Sequence, residues 1–228
     1  ELLRELRSAI QATIELASSE DLDTPRMESP SRLPNYEQMK VKNANGSGKE
    51  DAYSPSKSST SKNLYKPVDS RELDERDLVV KELMIWLERC LWHGMKNEII
   101  VKRGEHVVKV HLSIWNLIRH LPEVCATSSE DCFIQTLYQL RDLLFVRTNR
   151  GRGHAWLRIA LNEKLLDDAL TRLLKRQDIV SRYYYSFALL RDEETSSLFL
   201  AMLAGLSGLG FKFHIDESHY DTDPEPMR

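Results

Sequence analysis

The sequence predicts an all-α protein, a single globular multi-helix bundle carrying a long polar insert after its first helix. Three observations lead there. Apolar residues recur at helical spacings of three and four through most of the chain. Only FKFHID, Phe211 to Asp216, alternates in the manner of a short extended piece. Five of the eight prolines, with many serines, fall between positions 19 and 70, where no apolar face recurs. The 41% hydrophobic content is low for 228 residues folded throughout, as expected if that insert stays outside the core.

In chain order, 1–18 reads as the first helix of the domain, with Leu3, Leu6, Ile10 and Ala17 on one stripe and Thr13 as its weak position. Residues 19–72 read as a disordered Ser/Pro-rich insert, in which Thr24, Ser29 and Ser54 precede prolines as phosphorylation candidates. Lengthening a connector from about 5 to about 50 residues costs roughly 2 kcal/mol of closure entropy. Burying Leu3, Leu6 and Ile10 returns roughly 1.5 to 3 kcal/mol each, so the first helix is expected to dock despite the insert.

The remainder of the domain, 73–216, opens with a helix over 74–98 whose seam is Val79, Leu83, Trp86, Cys90 and His93. Gly104 interrupts, and a helix over 109–121 ends at Pro122. Ser128 or Ser129 caps the next, which runs to Leu144 with Phe133, Leu137, Leu140 and Leu144 inward. Gly151 and Gly153 open the following helix, and a more polar one runs from 166 to Arg176. The three tyrosines at 183–185 fall in a short helix or turn. Asp192, Glu193 and Glu194 then start a long apolar helix, as its dipole prefers, and the glycines at 205, 208 and 210 end it. Residues 217–228 read as a flexible tail. The count comes to about seven to nine helices, with no solenoid period.

Composition removes several classes of function. A net charge of -3 excludes nucleic-acid binding driven by bulk charge. The three cysteines form no CxxC pair and suit a reduced, cytosolic protein. No apolar run reaches the length of a membrane span and no signal peptide is visible. Beginning at Glu1, the sequence reads as a piece of a longer protein. Asn45-Gly46-Ser47 matches a glycosylation sequon without other support for a secretory route. GLSGLG at 205–210 is neither a nucleophile elbow, a phosphate loop nor a dinucleotide fingerprint. The seven histidines show no zinc spacing, and the carboxylate pairs Asp167-Asp168 and Glu193-Glu194 read as solvated faces. No catalytic residue, metal or cofactor is expected.

One stretch departs from its surroundings. Between Leu143 and Asn162 there is no acidic residue, while Arg147, Arg150, Arg152, His154 and Arg158 crowd the start of a helix that is otherwise apolar. Cations at a helix N-terminus are unfavourable by roughly 0.3 to 1 kcal/mol each, so something is expected to compensate them. His154 and Arg158, four apart, share a face. Two readings are open: internal pairing of Arg158 or Arg152 with a carboxylate such as Glu88 or Asp142, or an outward cationic surface for an acidic partner. For His93 the plain reading is a satisfied core histidine.

At these residues the chain resembles a known family. GRGHAWLRIALNEKLL is similar to the signature block of the RUN domain, and LERCLWHGMK, Leu87 to Lys96, resembles that family's His-Gly-Leu-Lys element. LLRELRSAI, IWNLIRHL, YYYSFALLRDEE and LAGLSGLGFKF continue the likeness in order, which is greatest to the RUN domains of pleckstrin-homology adaptors of late endosomes and lysosomes. The resemblance implies an all-helical, non-enzymatic effector or adaptor module that binds a GTP-loaded small GTPase of the Arf-like, Rab or Rap groups in vesicle transport, positioning or autophagy. It further implies a cytoplasmic protein recruited to endosomal or lysosomal surfaces, and motor or tethering proteins as further partners. Its contacts fall on His93, Arg152 and Arg158, with Lys96 nearby; with the rest of the basic entrance, the candidate GTPase-binding set is His93, Lys96, Arg150, Arg152, His154 and Arg158. His154 stands where the block commonly has arginine, which weakens the charge near neutral pH. The alternatives are a phosphoinositide or membrane-surface binder using the same cations, and a scaffold for motor or coiled-coil segments.

Overall fold

A computed structural model describes residues 1–19, 71–125 and 132–222. Positions 20–70 of the insert with its phosphorylation candidates and the sequon, the Ser128/Ser129 cap and positions 223–228 lie outside the described residues. What is described is helical, as the apolar spacing predicts: α1 (Leu2–Ser18), α2 (Leu78–Trp92), α3 (Ile114–Ile118), α4 (Leu121–Val124), α5 (Cys132–Arg141), α6 (Asn149–Asn162), α7 (Leu166–Leu174), α8 (Gln177–Tyr183) and α9 (Glu193–Ala204). Among the described residues no helix is long and apolar enough to cross a membrane.

Helix α1 docks on α2 and buries Leu6, Ala9 and Ile10, with Leu3 half-buried. Thr13, the polar break in the stripe, is fully buried because its hydroxyl donates to the Ala9 carbonyl at 2.7 Å and so needs no water. Helix α6 is the axis of the bundle. Ala155, Trp156, Leu157, Ile159, Ala160 and Leu161 are all buried; its backbone neighbours include α3, α5, α7 and a 3₁₀ turn at Ser218–Asp221, and its side chains also reach Glu88 of α2.

Four expectations are corrected. The helix expected over 74–98 is shorter, and the seam on α2 is wider and one step offset: Val80, Leu83, Met84, Leu87, Cys90 and Leu91 are buried. The helix expected from 109 begins only at Ile114, because the residues around Gly104 form an antiparallel hairpin, β1 (Glu98–Arg103) with β2 (His106–His111). Gly104 takes φ +60 there, the left-handed conformation that a tight turn uses. β-branched Ile and Val crowd both strands, a preference that competes with the helical pattern. Pro122 does not end a helix but lies in the first turn of α4, where its missing N–H costs nothing.

The third correction concerns Leu144. Helix α5 stops at Arg141, and Leu144 is 72% exposed rather than inward. The fourth concerns the tail: residues 217–222 are docked, with Tyr220 fully buried and its hydroxyl donating to the His214 carbonyl at 2.7 Å. FKFHID is non-helical as expected, and Phe211 forms a single bridge with Leu73.

Candidate functional site

The basic stretch divides in two. Helix α6 begins at Asn149, two residues before the expected start, because the Thr148 hydroxyl accepts from the Gly151 N–H at 2.9 Å and caps it. Gly151 and Gly153 therefore lie inside the helix. A Cβ on Gly151 would strike the Asp221 carboxylate, and one on Gly153 would strike Ile114 of α3, so both glycines serve close packing. The carboxylate missing from the first turn arrives from far along the chain. Asp221 accepts from the Arg147 N–H at 2.9 Å, the Thr148 N–H at 3.0 Å and the Thr148 hydroxyl at 2.6 Å. A negative charge at this end of the helix offsets the unfavourable placement of Arg150 and Arg152.

Beyond the first turn the strip faces inward, against the outward expectation for these two residues. His154 and Arg158 are 4% and 5% exposed. His154 Nδ1 lies 2.8 Å from Glu88 Oε1 of α2. Arg158 donates to Glu75 Oε1 at 2.5 Å and to the His154 carbonyl at 3.0 Å, stands 3.5 Å from Glu88 Oε1, and covers the Tyr220 ring at 4.2 Å. Burial works against its charge, but Glu75, Tyr220 and Glu88 outweigh burial and hold its pKa above the ordinary value. The reason is geometric: Arg158 stands one turn after His154 on the side of α6 that faces α2, where Glu88 already waits. Of the two readings left open by the sequence, internal pairing is the one that describes Arg158, and Glu88 is among its partners.

Arg147 is exposed, and Arg150 and Arg152 are partly so. Arg152 reaches only Asn149 Oδ1, at 3.4 Å. The Nε and Nη2 atoms of Arg150 are shielded from water and have no acceptor. Before them the chain presents Leu144 and Phe145, 72% and 60% exposed, on a loop whose backbone is held from behind. Asp216 accepts from the Leu144, Phe145 and Val146 N–H groups at 2.8, 2.8 and 3.1 Å. Burial raises the Asp216 pKa, but those three donors prevail and hold it below the usual carboxylate value.

The His-Gly element ends α2 and receives the chain that follows α8. His93 Nδ1 accepts the Leu189 N–H at 3.0 Å, and its ring meets Phe187 edge-on. Lys96 donates to the Ser181 and Arg182 carbonyls at 2.9 and 3.1 Å, where the open end of α8 favours a cation. Gly94 has φ +70 and abuts Ala188, so a side chain is excluded on two counts. Both candidates thus help to hold 181–189, whose Tyr185 and Phe187 are exposed and stacked. Leu91 and Trp92, just before His93, share a crevice with Gly153, His154 and Leu157 of α6.

Sequence reasoning missed Leu144, Phe145, Asp216 and Asp221. The two carboxylates carry no local motif, and the link to their loop spans about seventy positions of chain. Among the described residues no group of three or more His, Cys, Asp or Glu side chains is placed to hold a metal ion.

These features define a helical module with a pinned loop and a cationic rim. The chain belongs to the RUN-domain family, which matches residues 82–217, more than half of its length. Over 152 residues it is 26% identical to Protein RUFY3 of Homo sapiens, covering 67% of this chain and 30% of that protein. Over 137 residues it is 28% identical to RUN and FYVE domain-containing protein 2 of Homo sapiens, covering 60% and 21% respectively. Over 148 residues it is 28% identical to Pleckstrin homology domain-containing family M member 2 of Mus musculus, covering 65% and 12%. The matched stretch spans less than a third of each of these relatives. The relatives thus include a pleckstrin-homology protein, as the resemblance implied, together with RUFY proteins that the sequence reading did not single out. Membership supports an adaptor or effector role without naming the partner.

Proposed function

We propose that the chain is a non-catalytic effector module that binds a GTP-loaded small GTPase of the Arf-like, Rab or Rap groups, as part of an adaptor acting at endosomal or lysosomal vesicles. The observation that carries this reading is the rim of Arg147, Arg150 and Arg152 beside exposed Leu144 and Phe145, with no carboxylate bonded to these guanidinium groups among the described residues. Arginine forks of this kind suit carboxylates on a partner. A GTPase offers a reason for state dependence, because its switch loops are ordered only while the γ-phosphate is present.

Within this reading Arg150 and Arg152 touch the partner, with His93 and Lys96 at the neighbouring edge. His154 and Arg158 hold α6 on α2 from inside. Arg150→Glu with Arg152→Glu abolishes capture by purified GTPases loaded with a GTP analogue, while the circular-dichroism melt stays within a few degrees of wild type. Retained capture by the double variant would overturn the reading. Flotation of the wild type with phosphoinositide vesicles, lost in the same variant and seen without any GTPase, would replace it by a lipid-binding role.

A further inference from the structure

Large apolar side chains scattered singly over a surface need no explanation. Leu144 and Phe145 are different, because they are adjacent and fixed. Three consecutive backbone N–H groups, those of Leu144, Phe145 and Val146, all end on the one carboxylate of Asp216. The next two, Arg147 and Thr148, end on Asp221. Val146 points inward and is buried, which anchors the loop from the opposite side. Two carboxylates from the last described segment thus hold five successive residues in one shape while two apolar side chains stand in water. Tyr138, 44% exposed, lies on α5 shortly before.

The side chains that flank this pair in sequence are mostly basic. From Arg141 to Arg152 the sequence carries four arginines and a single acidic residue, Asp142. Asp216 and Asp221 spend their oxygens on backbone donors. Arg147 is exposed, Arg150 and Arg152 are partly so, and no carboxylate among the described residues is bonded to their guanidinium groups. An apolar centre, an arginine rim and a loop that needs no further ordering are the anatomy of a binding hot spot.

We infer that Leu144 and Phe145 are the apolar anchor of the partner interface, entering a hollow in the ordered switch region of the GTP-bound GTPase while Arg147, Arg150 and Arg152 close on carboxylates around it. This rests on the effector reading and adds to it the residues that supply affinity. Asp216 is a positioning residue: it touches no partner and acts through the loop backbone.

The test uses the whole chain and purified Arf-like, Rab and Rap GTPases loaded with a non-hydrolysable GTP analogue, with affinity measured by calorimetry. Leu144→Ser with Phe145→Ser is expected to weaken binding by about 30-fold or more, the scale of a hot-spot loss, with an unchanged melt because both side chains are exposed. Asp216→Asn is expected to weaken binding several-fold and to speed amide exchange at Leu144, Phe145 and Val146 without altering exchange in α6. If the wild type binds a GTPase and the Leu144/Phe145 variant binds equally well, the anchor is wrong and the effector reading stands. If the wild type binds none of the loaded GTPases, both fall. If Asp216→Asn frees the three amides and leaves affinity unchanged, the positioning role is wrong.

Discussion

His154 and Arg158 lie one helical turn apart on α6 and belong to the same cationic strip as Arg150 and Arg152, yet the two halves of the strip do opposite work. The inner half is sealed against Glu75 and Glu88 and fastens α6 to α2. The outer half stands at the end of the helix, next to a loop that presents apolar side chains. Both halves are basic and lie on the same helix. What separates them is whether a second helix passes in front, so a charged motif read from sequence says where cations gather and not which way they are used.

The sharpest way to break this comparison is to exchange the roles. Arg158→Ala leaves two part-buried carboxylates and His154 without their central cation, and is expected to cost about 3 kcal/mol, read by chemical denaturation. Arg152→Ala is expected to stay within about 0.5 kcal/mol of wild type. Equal effects would dissolve the distinction. Charge reversal at Arg158 consequently reports on folding, and only reversal at Arg150 and Arg152 reports on binding.

A smaller effect is expected from the signature glycines. Gly153→Ala places a methyl group against Ile114, and overpacking of this kind costs about 1 to 3 kcal/mol even though alanine is the better helix former. A thermal melt at or above wild type would show that α3 and α6 separate freely. Gly205→Ala, where an added methyl group meets nothing, is the control and should be close to neutral.

Acid should release the loop at 144–148 once its two anchoring carboxyls protonate. The fold holds the Asp216 and Asp221 carboxyls below the ordinary value of 3.8, through hydrogen bonds from the loop that outweigh burial. Groups with depressed pKa values contribute stability that is fully present above the unfolded value and lost as pH falls through the folded one. Amide exchange at 144–148, corrected for its intrinsic rate, is therefore expected to stay slow at neutral pH and to rise only below about pH 4. A rise near pH 6 would mean that another group holds the loop.

The smallest expected signal concerns thiols. Burial on α2 pushes the Cys90 thiol up to about 12, so it resists alkylation at pH 8 while exposed Cys132 reacts. Mass-spectrometric labelling at Cys90 under native conditions would show that the packing around α2 opens.

Much of the fold was legible. The stripe Leu6, Ile10 on α1, the carboxylates that start α9 and the apolar run of α6 all follow from periodicity and helix-end chemistry. The hairpin was not, because its Val and Ile residues also fit a helical spacing, and only the turn at Gly104 separates the two patterns. Leu144 was misplaced for a related reason: its spacing continues the α5 stripe, but the chain leaves the helix at Arg141 and Asp216 takes the backbone donors that another turn would have used. Of the site, the sequence located the cations and the His-Gly element and offered Glu88 as a partner. It held no sign of Asp216 or Asp221 as anchors.

By itself, then, the order of residues determined where helices form and where positive charge concentrates, since both depend on neighbours within a turn or two. The direction each cation faces, and the loop that stands beside the exposed ones, were decided by tertiary structure. Pairing Arg158 with Glu75 joins positions eighty-three apart, and holding Leu144 by Asp216 joins positions seventy-two apart. Such contacts depend on which helices cross, and that is a property of the packed bundle rather than of any stretch of chain.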